Sequence, residues 1–437
     1  MGIQNFPAAL VPIIQQGFLE RAFQDGLRSR LGFRAIADRE EFSIGIGESL
    51  TKTRTGLKAP VTTPSNPSNN TNLDNGMTPT GWTVEQYVMS LNQYNDTQDL
   101  NMVTSKVGIA SQFMKNAQVN GIQAMQSLDR IARNTLYGSY LGGNTRVTAT
   151  LGVAAATIAV DDIRGFRHVF SNGVLVPVSA TYTMTVVVGA NTYTLTGATA
   201  DGTNVSTAPD GISGTLTFST NVTVADGTAG NAVVSSVAPV VHRPADRATT
   251  AALVSGDTLT MQTILSGVAD LRSNNVPDID GNYNLYLDDK QLLGLFKDSD
   301  FKLLFRGAYG SAEYKSGMVF ELLGARFIPT TEAPQQASLG AGAIHRGILC
   351  GSGALVEGDY AATGYSDVAS DDDALKVMVD DVCMVTREPL DRLQQIIAQS
   401  WYWIGGFAVP TDMTANTNVI PTATNSYYKR AVVLESL

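Results

Sequence analysis

Apolar residues change their spacing several times along this chain, and each change marks a different kind of element. Over residues 13–31, Ile14, Phe18, Ala22, Phe23, Leu27 and Leu31 fall three and four apart, the spacing of one helix face, interrupted by Gly17 and Gly26. Apolar and polar positions then alternate at Phe42, Ile44 and Ile46, and a β-like pattern resumes at Trp82, Val84, Tyr87 and Val88. Between these flanks, residues 58–81 carry Pro60, Pro64, Pro67 and Pro79, and residues 65–72 hold seven Asn, Thr and Ser. So polar a stretch has nothing to bury. The flanks predict a long hairpin whose tip projects and is ordered by a partner or left disordered.

The strongest helical pattern follows, at about 96–140. Val107, Met114, Gly121 and Leu128 repeat every seven residues, as do Ala110, Ala117, Ala124 and Ile131. Residues 105–136 as a helix would measure about 48 Å. Small residues along one side let another backbone approach closely, so the pattern predicts a helix lying flat on a sheet or another chain. Polar layers and Gly121 weigh against a plain coiled coil.

Gly138, Gly142 and Gly143 end that helix, and the composition changes. No Lys lies between Lys115 and Lys290 and no Glu between Glu85 and Glu313, so two residues that favour exposed helices are missing from the next hundred. Short β-type runs at 182–188, 192–196, 215–218 and 222–224 are separated by Gly189, Gly197, Asp201-Gly202, Asp210-Gly211 and Asp226-Gly227. Strands with turns about every ten residues predict a β-sandwich of immunoglobulin-like type over 147–247, a domain of its own. Beyond it, helices are expected at 257–273 and 289–306, and strands at 283–287, 318–329, 344–350, 375–386 and 431–434, an α+β body.

Composition narrows the function. The 437 residues are 43% hydrophobic and 16% charged, which suits a folded protein of three or four structural units. The formal net charge of -10 opposes a surface built to neutralise phosphates and suits a wall that must not adhere to anionic cargo. Cys350 and Cys383 are too few and too far apart for a disulfide framework or a thiolate metal site, and read as two thiols in apolar settings. Arg21 is the first cation, so no basic region precedes an apolar N-terminal run and no secretory signal is expected. The apolar run 151–160 is far short of the roughly 20 residues of a membrane span.

Reactive constellations are weak. Residues 310–316 read GSAEYKS, but Tyr314 stands where a phosphate loop needs glycine before its lysine. Asp278-Ile279-Asp280-Gly281 resembles a calcium-loop fragment, yet Leu287 occupies the position of the bidentate Glu, so a turn ahead of a strand is the better reading. Asp371, Asp372 and Asp373 read as a solvated acidic loop. His168, His242 and His345 have no Cys or His at ligand spacing, and no G-x-S-x-G elbow is present. Trp401, Tyr402, Trp403 and Phe407 form the densest aromatic cluster, read as a buried anchor or subunit contact. Neither a catalytic nor a cofactor or metal site is expected.

The chain resembles the tailed-bacteriophage major capsid proteins of the Johnson fold. The likeness is carried by the arm-then-helix order over 42–140 and by GNYNLYLDDKQLLGLFKDSDFKLLFRGAYG (281–310) and KSGMVFELLGARFIPTTEAP (315–334). RGILCGSGAL (346–355), REPLDRLQQIIAQSWYWIGGFAVP (387–410) and YYKRAVVLESL (427–437) add to it. It rests on block order and texture, and covers most of the chain outside 147–247.

That resemblance implies an α+β fold with an N-terminal arm (1–41), an extended loop (42–81) and a peripheral domain with a spine helix (82–146). The all-β insertion (147–247) comes next, then a peripheral/axial body (248–330), an axial domain (331–415) and a C-terminal return (416–437). Arm and loop would lie across neighbouring subunits, making Phe18, Arg21, Phe23, Arg28, Arg30, Lys52, Arg54, Lys58, Pro60 and Trp82 the contact candidates. Lys52 and Lys58 lie where some members place a crosslinking lysine, but with no partner Asn or catalytic Glu to assign, no crosslink is expected. The implied function is a structural shell: homo-pentamers and homo-hexamers forming an icosahedral head in the virion, with scaffolding, portal and cement proteins as partners and double-stranded DNA contacted non-specifically. Two other readings are an encapsulin-like compartment shell and a surface adhesin or tail-fibre protein using the β domain.

Overall fold

The computed structural model describes residues 32–42, 49–55, 61–62, 84–101, 109–202, 211–305, 321–339, 342–360, 374–379, 382–387, 396–412 and 427–437. The helix expected at 13–31, most of the loop tip, GSAEYKS and the Asp371–Asp373 triplet lie outside these residues. Strands β1 (Asp38–Phe42), β2 (Ser49–Thr55), β3 (Val84–Ser90) and β4 (Asn92–Asn101) precede helix α1 (Ile109–Tyr140). Strands β5 (Asn144–Arg146), β6 (Ala155–Val160), β7 (His168–Ser171), β8 (Val174–Pro177), β9 (Met184–Val188), β10 (Asn191–Ala200), β11 (Gly214–Val222) and β12 (Ala232–Ser235) follow. After β13 (Val241–His242) come α2 (Met261–Ser273), β14 (Tyr283–Leu287), α3 (Asp289–Lys297) and α4 (Ser299–Phe305). Strands β15 (Glu321–Leu322), β16 (Ala325–Pro329), β17 (Gln335–Leu339), β18 (Gly342–Cys350) and β19 (Val356–Tyr360) lead to β20 (Ala374–Val379), β21 (Val382–Arg387), β22 (Ile396–Ala408) and β23 (Ala431–Ser436).

These elements form two compact units, one drawn from Met1–Leu50, Val88–Arg133 and Leu355–Ala408, the other from Thr51–Tyr87, Asn134–Ala354 and Val409–Leu437. In the first, a sheet ordered β1-β19-β22-β21-β20, with β4 also on β22, carries α1 on one face. Ala117, Ala124, Met125 and Leu128 of the helix meet Val382, Met384, Trp401 and Trp403 of the sheet. The small side chains of the stripe do what their size permits: Ala117 and Ala124 are fully buried, and the bulky indoles fill the space opposite. Trp403 also stacks between Tyr94 at 5.9 Å and Phe407 at 5.5 Å, so the aromatic cluster is a core anchor.

The helix begins later than its pattern predicts. Residues 92–101 form β4, which pairs antiparallel with β22 from Asn92↔Gly405 to Asn101↔Ile396. Asn92, Asn95, Asp96, Thr97, Asp99 and Asn101 are poor helix formers, and a ten-residue ladder satisfies their backbone instead. The single run expected at 375–386 is likewise two strands, β20 and β21, antiparallel from Ala374↔Arg387 to Val379↔Val382.

In the second unit the inserted β module departs from the expected sandwich. It is one six-stranded sheet ordered β5-β12-β9-β10-β11-β6, and its edges meet where Val147 bridges Val160 and Thr148 N donates to Ala159 O at 3.0 Å. The sheet therefore closes on itself as a small barrel around Val160, Val186, Val188, Leu195, Leu216, Phe218 and Val233. Alternation along β9, with Met184, Val186 and Val188 buried and Thr185 and Val187 outside, fits either architecture, which is why sequence pattern alone could not choose. Gly165 (φ +81) sits where a Cβ would overlap the backbone of Gly143, fixing the barrel mouth. A hairpin of β7 and β8, turned by Asn172 (φ 50) and Gly173 (φ 87), stands apart from the barrel sheet.

The rest of this unit is a sheet ordered β13-β23-β18-β14-β16-β15, with β17 also on β18. Ile264, Val268 and Leu271 of α2, Leu292 and Leu295 of α3 and Phe301 of α4 pack on Leu285, Leu287, Phe327, Leu349, Val432 and Leu434. Thr260 caps α2 by accepting from Thr263 N, and Asp288 caps α3 by accepting from Gln291 N. Helix was expected through 289–306; Asp298 instead divides it, capping α3 and accepting from Met261 N at 2.8 Å. The segment 278–281 is turn chemistry, with Asp280 (φ 52) and Gly281 (φ 85) ahead of β14.

Candidate assembly elements

Gly32 is the first described residue of the first unit. The next turn, Arg34–Ile36, is held by one carboxylate: Asp129 Oδ1 of α1 accepts from the backbone N–H of Gly32 (3.2 Å), Phe33 (2.7 Å) and Arg34 (3.1 Å). Asp129 is an acid on the buried side of a helix, beside Leu128 and Ala132, and these N–H groups satisfy it there. Arg34 turns inward, where its Nε donates to both oxygens of Glu357 (2.9 and 3.0 Å) and its Nη2 also reaches Oε1. Both side chains are buried, and the Arg34 guanidinium lies 5.9 Å over the Trp403 ring. β1 then runs parallel to β19 from Asp38↔Val356. Residues 32–42 are thus held by helix, sheet and a buried ion pair.

β2 and β3, which flank the segment expected to form the extended loop, pair as a two-stranded ribbon. In β3, Glu85 and Tyr87 face inward while Val84 stays exposed; in β2, Lys52 and Arg54 share the half-buried face. Arg54 Nη1 reaches Asp412 Oδ1 (3.2 Å) and Thr411 O (3.4 Å), and Asp412 Oδ2 accepts from Arg430 Nε (2.7 Å). Thr411 Oγ1 donates to Glu85 Oε2 at 2.9 Å. Lys429 joins this cluster; burial lowers its pKa, and Asp412 and Glu85 act in the opposite direction. Gln86 N donates to Gly173 O at the tip of the β7–β8 hairpin (2.9 Å), and Phe170 N to Tyr427 Oη (2.9 Å). Two separated segments, 411–412 and 427–430, grip this ribbon at the root of the expected loop.

Of the sequence-derived contact residues, Lys52 and Arg54 are placed at this root. Phe18, Arg21, Phe23, Arg28, Arg30, Lys58, Pro60 and Trp82 lie outside the described residues. The anchors Asp129, Glu357, Glu85 and Asp412 escaped sequence reading. Only Asp129 carried a sign, a lone acid inside an apolar helical stripe.

Elsewhere the charged groups serve the core. His345 Nδ1 bonds Asp288 Oδ2, and His242 Nε2 meets Asp270 Oδ2 at 2.7 Å. Burial raises the Asp288 pKa, but hydrogen bonds from His345 and Gln291 outweigh it and leave the carboxyl below its ordinary value. Cys350 and Cys383 are buried free thiols, and burial pushes the Cys350 pKa up. Among the described residues no three His, Cys, Asp or Glu side chains gather as a metal ion would require. No helix among them is long and apolar enough to cross a membrane.

Over 93% of this chain and 88% of the other, the structure superposes on the capsid of Ralstonia phage GP4 with a TM-score of 0.50 at 11% identity. The chain has the fold of a phage capsid protein. Capsid structures of cyanophage P-SCSP1u (11% identity, 93% and 88% covered, TM-score 0.46) and cyanophage Pam1 (11%, 94% and 92%, 0.45) are further matches. No protein-family model matches the sequence, and no curated protein matches it. Within this capsid fold, α1 lies along a sheet whose long central strand is β22, and α2, α3 and α4 pack on the sheet that includes β23.

Proposed function

We propose that this chain is the major capsid protein of a tailed phage, a structural protein that assembles with copies of itself, as pentamers and hexamers, into an icosahedral head. The observation that carries the reading is the capsid fold extending over 93% of the chain. The anchored roots support it: residues 32–36 and the β2–β3 ribbon are fixed to their own units, so the segments beyond can reach out without unfolding the subunit. One chain must fit slightly different surroundings in pentamers and hexamers, so rigid units carry shape while arm and loop absorb the variation.

On this reading α1 is the spine of the peripheral domain, the later body supplies the axial domain, and the β barrel is an added surface domain. The protein is a virion component, assembled in the host cytoplasm, with portal and scaffolding proteins as partners and packaged double-stranded DNA touched non-specifically. Negative-stain microscopy of the purified chain tests the proposal. Closed particles or capsomer rings are expected, and a discrete monomer under all assembly conditions would sink it.

A further inference from the structure

A polar cavity of about 50 Å³ opens in the second unit where the barrel strands β5 and β12 meet the body, lined by Arg146, Asp161, Asp162, Arg243, Gln336 and Arg346 among others. Its lining carries three guanidinium groups, Arg146, Arg243 and Arg346, and two carboxylates, Asp161 and Asp162. Glu435 serves two buried guanidinium groups at once, accepting from Arg243 Nε (2.7 Å) and Arg346 Nε (2.8 Å), and also from Thr250 Oγ1 (2.9 Å). Asp161 meets Arg146 Nε at 3.5 Å, and Asp162 meets Arg164 Nη2 at 2.7 Å. With Glu435, three carboxylates therefore serve the three guanidinium groups of the lining.

One donor of this set stays unmatched. Arg346 is 3% exposed; its Nε is taken by Glu435 and its Nη2 by Gln336 Oε1, while its Nη1 is buried with no partner among the described residues. An unpaired N–H on a buried charged group is costly, and the carboxylate beside it, Glu435, is shared with a second guanidinium group. A single water needs roughly 10–15 Å³, so the cavity has room for a larger guest.

We propose that this cavity binds one small tetrahedral oxyanion, seated on Arg346 Nη1 with Arg146 at its rim. Bound there it would tie the barrel to the body, because Arg146 belongs to β5 and Arg346 to β18. The inference is independent of the capsid reading.

The test uses the full-length protein and inorganic phosphate. Thermal melts in phosphate and in chloride at equal ionic strength and pH should differ, phosphate raising the melting temperature by about 3 °C in a saturable manner. Sulfate should substitute, and planar acetate should not. Arg146→Gln, at a native side chain that is 29% exposed, should weaken the apparent phosphate affinity about tenfold. Arg346→Lys, which keeps a cation beside Glu435 but removes Nη1, should do the same. If Arg346→Lys does not fold, Arg146→Gln decides. Coincident phosphate and chloride melts would mean that the cavity holds water alone, and a wild-type phosphate response in the Arg146→Gln protein would place the binding elsewhere; either overturns the proposal.

Discussion

Two carboxylates, buried in different company, are both held ionised far below their ordinary range. Asp226 accepts from Tyr193 Oη (2.6 Å), Asn191 Nδ2 (2.9 Å), Thr223 Oγ1 (2.8 Å) and Ala190 N (3.2 Å), and these bonds, the tyrosine's foremost, bring its pKa to about 2. Burial would raise the pKa of Glu435, but Arg243 and Arg346 bring it to about 2 as well. Since the folded values lie below the ordinary carboxylate values near 4, the stability they supply is present above about pH 4 and lost as pH falls toward 2. Urea midpoints should hold steady down to about pH 4 and then decline, and a chain carrying both Asp226→Asn and Glu435→Gln, though weaker at neutral pH, should decline less over that interval. Asp129→Ala would strip an acceptor from three backbone N–H groups and should cost about 1–3 kcal/mol, with earlier proteolysis near Gly32 as the second readout. None of these pairings was legible in the sequence, because a buried charge says that it needs a partner and not which one. Arg34 and Glu357 are separated by 323 positions.

Elements were more legible than partners, since each repeats a local pattern. The strands 283–287 and 344–350 and the C-terminal strand fall where apolar runs place them, and the helix stripe buries Ala117, Ala124 and Leu128 as its small-residue spacing predicts. Errors arose where pairing overrode pattern: β4 was absorbed into a helix because its ladder partner, β22, lies three hundred residues downstream. The barrel was read as a sandwich because in-and-out alternation is the same in both. At Ala124 the helix touches a sheet face built of indoles, so Ala124→Leu should overpack that layer and cost about 1–3 kcal/mol, whereas Gln118→Leu on the exposed side should cost little. Chemical denaturation of both variants checks the contrast.

For the whole molecule, the capsid fold was readable from block order, while the anchoring of residues 32–36 and of the β2–β3 ribbon was not. If the loop works between subunits, its loss should leave the subunit intact, because the roots are secured from within: Arg54 by Asp412, Glu85 by Thr411, and Gln86 by Gly173. Deletion of residues 58–81 should therefore give a soluble chain with an unchanged circular dichroism spectrum that forms no closed shells. Normal particles from that deletion would remove the loop from assembly.

The barrel's two ends carry a different consequence. β5 and β12 are paired, Thr145↔Val233, and Ser235 N donates to Gly143 O at 2.8 Å, so the polypeptide leaves the barrel almost where it entered. To the body, the entire module behaves as a tight turn, and changes of length inside it do not propagate into the register of distant strands. A peptide epitope grafted beside Gly152, which has no atom within contact distance of its Cβ position and precedes the 74% exposed Val153, should be carried outward without disturbing the sheet that holds the C-terminus.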